Sequence, residues 1–400
     1  AACVQSGVIF LPLNTAYKPA EVDYFISDSG ARMLIAGDAE SLQSIAATHN
    51  VILHDMAADG RGSFTNLATK ASDRFAPVPR NGDDLAAFLY TSGTTGRSKG
   101  AMLTQNNLLS NAQTLIEAWR FSEADVLLHA LPIFHTHGLF VATNIILLAR
   151  ASMIFLPKFD VDSVFAVLPQ ATSMMGVPTF YTRLLDDARL TADSTRHMRL
   201  FVSGSAPLLA ETHVQLSVRT GQQILERYGM TETNMNTTNP YDGPRRAGTV
   251  GMPLAGVEIK ITDPETGATI ENGKIGQIEV RGPNVFVGYW NMPEKTHEEL
   301  REDGFFITGD LGLIDDQGYL QIVGRNKDLI ISGGYNIYPK EIELILNDQP
   351  GVLESAVIGV PHADFGESVV GVLVPDSSGL LDLEKISESV AVSLAKFKQP

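Results

Sequence analysis

Tyr90-Thr91-Ser92-Gly93-Thr94-Thr95-Gly96-Arg97-Ser98-Lys99-Gly100 is the stretch whose reading decides the fold. It packs three glycines, five Ser/Thr hydroxyls and two cations between an apolar run and an expected helix. Glycine permits positive φ and lets the backbone approach a ligand closely. Hydroxyls and exposed backbone N–H groups donate hydrogen bonds, and Arg97 and Lys99 add positive charge. That inventory suits a polyphosphate. The nucleotide P-loop pattern, however, does not fit. Counted from Gly93, Ser98 stands where its second glycine belongs, and Gly100 where its Ser or Thr belongs. The stretch reads as a phosphate loop, but not that of the usual P-loop NTPase.

Upstream, residues 85–90 form a strand that feeds the loop; downstream, Thr104 caps a helix running toward Trp119. The βα rhythm extends both ways. Strands are expected at 8–13, 33–36 and 51–53, with helices opening at Pro19 and near Ala39. This alternation implies parallel strands. Residues 76–82 are linker-like. Further strands are expected at 126–131, 152–156, 174–177, 200–203 and 224–228, separated by helical stretches at 137–148 and 161–168 and from Pro178 and Leu208. Ligands of open α/β sheets gather beyond the carboxyl ends of strands. His135, Ser203-Gly204-Ser205 and Gly229-Met230-Thr231-Glu232 occupy such positions. From Arg246 the pattern becomes alternating, with turns at 264–267, 271–273 and 316–318, as antiparallel strands require. A compact α+β segment follows Gly324-Arg325.

The composition bounds the function. The 400 residues are 44% hydrophobic and 19% charged, with mean hydropathy +0.04, which is globular rather than disordered. A net charge of −16 repels nucleic acid and anionic membranes, so neither is an expected partner. An anionic substrate must therefore meet a local cationic site. One cysteine, Cys3, forms no internal disulfide or zinc cluster and fits a cytoplasmic location. The most apolar run, 139–149, is too short for a membrane span. The chain begins with Ala, 7–11 already reads as a buried strand, and the chain stops at Lys398-Gln399-Pro400, so a piece cut at both ends is expected. Oligomeric state is not legible.

Three more motifs carry chemistry. Tyr228-Gly229-Met230-Thr231-Glu232 offers an aromatic for a base, a tight turn, and oxygens for phosphate and magnesium. Thr308-Gly309-Asp310 offers a carboxylate for ribose hydroxyls, and Arg325 in Gly324-Arg325-Asn326-Lys327-Asp328 can serve the same nucleotide. Each alone fits a solvated strand end as well. Their joint order does not: it closely resembles the adenylate-forming acyl-CoA synthetases, related to coumarate ligases, luciferases and peptide-synthetase adenylation domains. The resemblance covers essentially the whole chain. Phe134-His135-Thr136-His137-Gly138-Leu139, the run from Met174 to Leu184, and the run from Val357 to Glu367 are similar to malonyl-CoA synthetases.

The resemblance implies an α/β fold. Residues 1–325 would be a large N-terminal AMP-binding domain of βα-layered subdomains, with a small antiparallel β-barrel-like subdomain at about 246–325. Residues 327–400 would be a small mobile α+β C-terminal domain. Thr91, Ser92, Gly93, Thr94, Thr95, Gly96 and Lys99 would hold the ATP β- and γ-phosphates. Tyr228 would face adenine, Thr231 the phosphate and Glu232 the magnesium ion; Ser203, Gly204 and Ser205 would line the nucleotide and acyl pocket. Asp310 and Arg325 would bind the ribose, Lys327 would be the hinge, and Gly333-Gly334 would border the coenzyme A channel. The implied reaction joins a small dicarboxylate, malonate or methylmalonate, to coenzyme A through an acyl-adenylate. Alternatives are a broader aryl or fatty acyl-CoA ligase, or a nucleotide-binding fragment without full catalysis. The family's adenylation lysine lies downstream of Lys398-Gln399-Pro400, so no residue here takes that role and weak adenylation by the 400 residues is expected. The second carboxylate of malonate needs a cation if buried. Arg245 and Arg246, with His135 and His137, are the candidates.

Overall fold

The computed structural model describes residues 2–91, 97–332, 335–362, 364–376 and 379–400. Ser92, Gly93, Thr94, Thr95, Gly96, Gly333 and Gly334 lie outside the described residues. The chain divides into two compact units. The first comprises 1–247, 253–257 and 281–304; the second comprises 248–252, 258–280 and 305–400.

In the first unit, β1 (Met33–Ala36) and β2 (Ile52–Asp55) pair in parallel around the helix Gln43–Thr48, as the βαβ rhythm predicts. The helix Pro19–Ser29 opens with the Glu21 carboxylate accepting from Lys18 N–H at 2.8 Å. Its Val22 and Ile26 pack against Leu34, Leu42 and Ile45. The expected strand at 8–13 does not form. Only Phe10 makes a bridge, to Ala87, while Val8 and Ile9 are exposed. An apolar run becomes a strand only where a neighbour takes up its backbone hydrogen bonds.

β3 (Leu85–Thr91) and β4 (Lys99–Thr104) pair antiparallel, with Thr91 opposite Lys99 and Tyr90 opposite Gly100. This corrects the strand–loop–helix reading: the two ends of the phosphate stretch are the paired ends of a hairpin. Ala101 and Leu103 are buried, so the run after the loop is a core strand rather than a connector. The helix Gln105–Trp119 starts only after it. Thr104 caps that helix as expected: its Oγ1 accepts from Asn107 N–H at 3.1 Å, and its own N–H donates to Asn107 Oδ1 at 2.9 Å.

The main sheet contains β5 (Val126–His129), β6 (Ser152–Phe155), β7 (Ser173–Gly176), β8 (Leu200–Ser203), β9 (Ile224–Met230) and β10 (Asn234–Thr238), in the order β10-β9-β8-β7-β5-β6. β5 through β9 pair in parallel; β9 and β10 pair antiparallel. Alternate residues face opposite cores. Leu127, Met175, Val202 and Leu225 meet Leu115, Trp119 and Ile145 on one side. Leu128, Met174, Phe201 and Ile224 meet Val164, Tyr181 and Leu216 on the other. The pattern did not predict β10. Its Asn and Thr residues are polar yet buried, and neighbouring amides satisfy the backbone: Asn111 Nδ2 donates to Met235 O at 2.8 Å and Asn284 Nδ2 to Thr233 O at 2.6 Å. The helical stretch expected at 137–148 forms as a π-helical segment, His137–Thr143, followed by the α-helix Asn144–Leu148.

The second unit contains two four-stranded sheets. One takes the open order Glu258–Thr262, Gly276–Arg281, Phe306–Ile314, Leu320–Arg325, with Asp310 opposite Arg325 in an antiparallel pair. The other takes the order Tyr335–Ile337, Ile330–Ser332, Gly366–Pro375, Val352–His362. Helices Pro339–Asn347 and Leu383–Ser393 cover it, burying Ile342, Leu346, Ile386 and Val390 against Val357 and Val369. Asp382 caps the last helix through Lys385 N–H. No described helix is long and apolar enough to cross a membrane.

Candidate active site

The carboxyl ends of β8 and β9 frame a buried cationic pocket. Arg227, on β9, is 2% exposed. Its Nη2 donates to Ser205 Oγ at 3.4 Å, while Nε and Nη1 have no hydrogen-bond partner among the described residues. The guanidinium lies against Gly204, where a Cβ would stand 2.5 Å from Arg227 Cζ, so any larger residue there must displace the guanidinium. Ser205 holds a left-handed backbone at φ 69°, uncommon for a non-glycine residue. Its Oγ lies 3.2 Å from His137 Nδ1. His137 Nε2 and Ser203 Oγ are buried without a partner among the described residues.

The electrostatics follow from burial. Desolvation pushes Arg227 down to about 9, partly opposed by Tyr181, so it remains charged at neutral pH. His137 is held well below its usual value by burial first, then by Arg227, His135 and His129. His135 lies at the solvent side, yet burial of its ring and then Arg227 lower it too. A charged guanidinium with orphaned N–H groups, beside two neutral imidazoles and two serine hydroxyls, is the donor set of an anion site.

Of the substrate candidates, His135 and His137 belong to this pocket and Arg245 does not. Arg245 donates to the carbonyls of Gln223, Tyr241 and Pro240 at 2.6, 3.1 and 3.3 Å and lies over the Tyr241 ring. It is spent on pinning its own loop. Arg246 is tied through its backbone N–H to Asn239 Oδ1 at 3.0 Å. Arg227 was not singled out in the sequence. A signal was present: the adjacent charges Glu226-Arg227 inside a strand of a buried parallel sheet.

Five residues further on, Glu232 sits in the turn between β9 and β10 and is 4% exposed. Gly229, near the end of β9, lets β10 pair closely: a Cβ there would lie 1.9 Å from the Asn234 carbonyl oxygen. Glu232 Oε1 faces the Tyr289 hydroxyl at 3.0 Å and Thr91 Oγ1 at 3.4 Å. Tyr289 also faces Glu299 Oε2 at 2.7 Å and accepts from Lys99 Nζ at 3.0 Å. Lys99 Nζ reaches both Glu299 oxygens, at 3.2 and 3.1 Å. One phenolic proton thus serves two carboxylates. Burial raises Glu232 above the ordinary carboxylate range despite the Tyr289 hydroxyl and Lys99. Burial also works against ionised Glu299, but Tyr289, Lys295 and Lys99 outweigh it and keep that carboxyl low. No sequence motif marks Tyr289 and Glu299, because only the fold brings residues 281–304 back to the hairpin mouth from far along the chain.

Among the described residues no group of three or more His, Cys, Asp and Glu is placed to hold a metal. A single buried carboxylate whose charge is incompletely compensated instead fits a magnesium ion that arrives with phosphate oxygens already on it. Tyr228 is buried on the same β9 end, with Thr231 partly exposed in the turn. In the second unit, Arg325 Nε lies 3.2 Å from Asp310 Oδ1; Asp310 is 6% exposed, and Arg325 and Lys327 are exposed. The Thr308 hydroxyl donates to Ile278 O at 2.8 Å and accepts from Asp310 N–H at 3.1 Å, fixing that strand end.

Comparison with known proteins adds to this geometry. Residues 1–290 match the AMP-binding enzyme family and 341–400 its C-terminal domain. A malonate–CoA ligase of Arabidopsis thaliana is 37% identical over 430 residues, spanning 99% of this chain and 70% of that protein. A feruloyl-CoA synthase of an Amycolatopsis species is 34% identical, covering 100% of this chain and 80% of that one. The crystal structure of ATP-bound MatB from Rhodopseudomonas palustris superposes with a TM-score of 0.97 at 59% identity, over 100% of this chain and 80% of that chain. A malonyl-CoA ligase with methylmalonyl-CoA and AMP bound gives 0.71 at 38% identity, over 100% of this chain and 85% of that chain.

Proposed function

Because the chain belongs to the AMP-binding enzyme family, we propose that it is an ATP-dependent acid–CoA ligase acting on malonate or methylmalonate. One observation carries the substrate class: Arg227 is buried and charged, and two of its donor nitrogens have no partner among the described residues. A monocarboxylic acid whose only carboxylate reacts would leave that charge unanswered. A dicarboxylate supplies a second, bidentate partner. The relatives named for malonate or malonyl-CoA support the same class.

In the first half-reaction a carboxylate oxygen of the acid attacks the ATP α-phosphorus and pyrophosphate leaves. In the second, the coenzyme A thiol attacks the acyl carbon, the thioester forms and AMP leaves. Magnesium, bound with ATP, neutralises phosphate charge. The chain's own groups bind and orient. Thr91, Lys99 and the loop residues Ser92, Gly93, Thr94, Thr95 and Gly96 take the β- and γ-phosphates. Thr231 would meet the phosphate and Glu232 would hold the magnesium ion, while Tyr228 would pack on the base. Asp310 and Arg325 take the ribose. Ser203, Gly204, Ser205 and His137 line the acyl pocket over Arg227, and His135 stands at its solvent side. Tyr289 and Glu299 hold Lys99 and Glu232 in register. Residues 1–325 act as the nucleotide-binding domain and 327–400 as its C-terminal partner, with Lys327 at the hinge and Gly333-Gly334 toward coenzyme A. For the 400 residues tested by themselves we expect slow adenylation, since the resemblance gives the lysine of that step to a downstream segment.

The test is ATP–pyrophosphate exchange across a panel of acids, on this polypeptide and on one lengthened at both ends. Malonate-dependent exchange, several-fold faster in the longer form, is expected. Exchange driven equally well by propionate or ferulate would overturn the dicarboxylate assignment.

A further inference from the structure

One helix grips both ends of the phosphate loop. Tyr24, Phe25 and Asp28 lie along one face of the helix Pro19–Ser29, at spacings of one and four residues. The Tyr24 hydroxyl donates to the Ser98 carbonyl at 2.7 Å, just before β4. The Tyr90 hydroxyl, near the end of β3, donates to Asp28 Oδ2 at 2.5 Å. Phe25 packs on the Tyr90 ring at 4.7 Å, and the Tyr24 ring meets it edge-on at 6.1 Å. The Asp28 carbonyl accepts from Trp290 Nε1 at 2.8 Å, and Trp290 N–H in turn donates to Gly100 O at 2.8 Å. The hairpin stems are thus held from the helix side and from the 289–290 side.

We propose that Tyr24 is a positioning residue for nucleotide binding, its hydroxyl fixing the exit of the phosphate loop while Asp28 fixes the entry through Tyr90. The proposal rests on the reading of residues 91–99 as the ATP phosphate site. Apolar packing alone would need only Phe25 and the Tyr90 ring. Instead two polar groups one helical turn apart each engage a different end of a single glycine-rich loop. Binding between two stems costs the ordering of both stems. Stems fixed in advance lower that cost, and the gain appears in ATP affinity rather than in the chemical step. Burial and then Asp28 push the Tyr24 hydroxyl up, against the nearby Arg97 charge, so it stays a donor across the working pH range.

Tyr24→Phe keeps every ring contact and deletes one O–H. The expected result is a rise in KM for ATP of about 5- to 20-fold, the worth of one hydrogen bond, with KM for malonate within twofold. Hydrogen–deuterium exchange should quicken in peptides covering 91–100 and stay unchanged over the main sheet. Asp28→Asn, which keeps an acceptor for Tyr90, should lie between wild type and Asp28→Ala. Unchanged ATP affinity together with unchanged loop exchange overturns the proposal. So does a uniform loss in both substrates accompanied by a lower Tm, the mark of a role in stability alone. Wild-type protein that takes up no ATP by calorimetry overturns instead the reading of the loop, whatever the exchange data show.

Discussion

Replacing Arg227 with methionine should make the protein more stable and much less able to use malonate. Burial holds the guanidinium at about 9, well under its usual value above ~12. At about 1.4 kcal/mol per tenfold change, burial disfavours the charged form on the order of 5 kcal/mol. Methionine has similar length, no charge and no N–H groups to satisfy. It will not recover the full amount, because it leaves Ser205 Oγ and His137 with fewer neighbours. Exchanging a buried charge for a well-packed apolar side chain is commonly worth about 1–4 kcal/mol. The ligand-free Arg227→Met variant should therefore melt higher, by roughly 2–6 °C. Malonate should fare the opposite way. Removing one partner of a buried charge pair costs about 3–5 kcal/mol, so kcat/KM for malonate should fall about 100- to 5,000-fold. Propionate, with the same carbon skeleton and one carboxylate, should lose nothing and gain modestly from the apolar pocket. The assays are thermal melts without ligand and AMP release with each acid at saturating ATP. A variant that melts lower, or that keeps the wild-type ratio of malonate to propionate, would refute the reasoning.

Tyr289→Phe removes the hydroxyl shared by Glu232 and Glu299. KM for magnesium–ATP should rise about 5- to 100-fold, with KM for malonate little changed; initial rates over both substrates check this. His129, His135, His137 and His213 all sit below their usual 6.5, with burial the leading cause. Below that value the unfolded chain takes up protons that the folded one resists, so ligand-free stability should fall as pH drops from 7 to 5. The fall should be shallower in His137→Asn, as melts across that range would show. Asp310→Ala leaves Arg325 unpaired and should raise KM for ATP at least about tenfold; nucleotide titration calorimetry of wild type and variant reads the loss directly.

Features set by local chemistry were legible in the sequence. The caps at Thr104 and Asp382 and the helix-opening prolines 19, 178 and 339 stand where short-range rules put them. The parallel strands β5 to β9 are continuous apolar runs, as burial on both faces demands. What escaped was decided at a distance. β4 follows the loop with no turn of its own, and only its pairing with β3 distinguishes it from a linker. β10 is polar because an amide network lies around it, which composition cannot reveal. In the sequence Arg227 reads as part of its strand, whereas Arg245 and Arg246 stand out by adjacency. Adjacent arginines on a loop have carbonyls within reach, and Arg245 uses three. Tyr289 and Glu299 gain meaning only when residues 281–304 return to the first unit.

Arg227 and Glu232 stand on a single hairpin, one on the strand β9 and one in the turn that follows it. The separation of their Cα atoms is therefore set by one strand and its turn. The hairpin acts as a ruler. On the proposed reading, an acid anchored at Arg227 would project its other end a set span toward the phosphates, and each added methylene would carry the reacting carboxylate about one bond length too far. Chain length, and not charge alone, would then be selected. A shift to longer diacids would have to come from moving Arg227 along β9, rather than from widening the pocket around it.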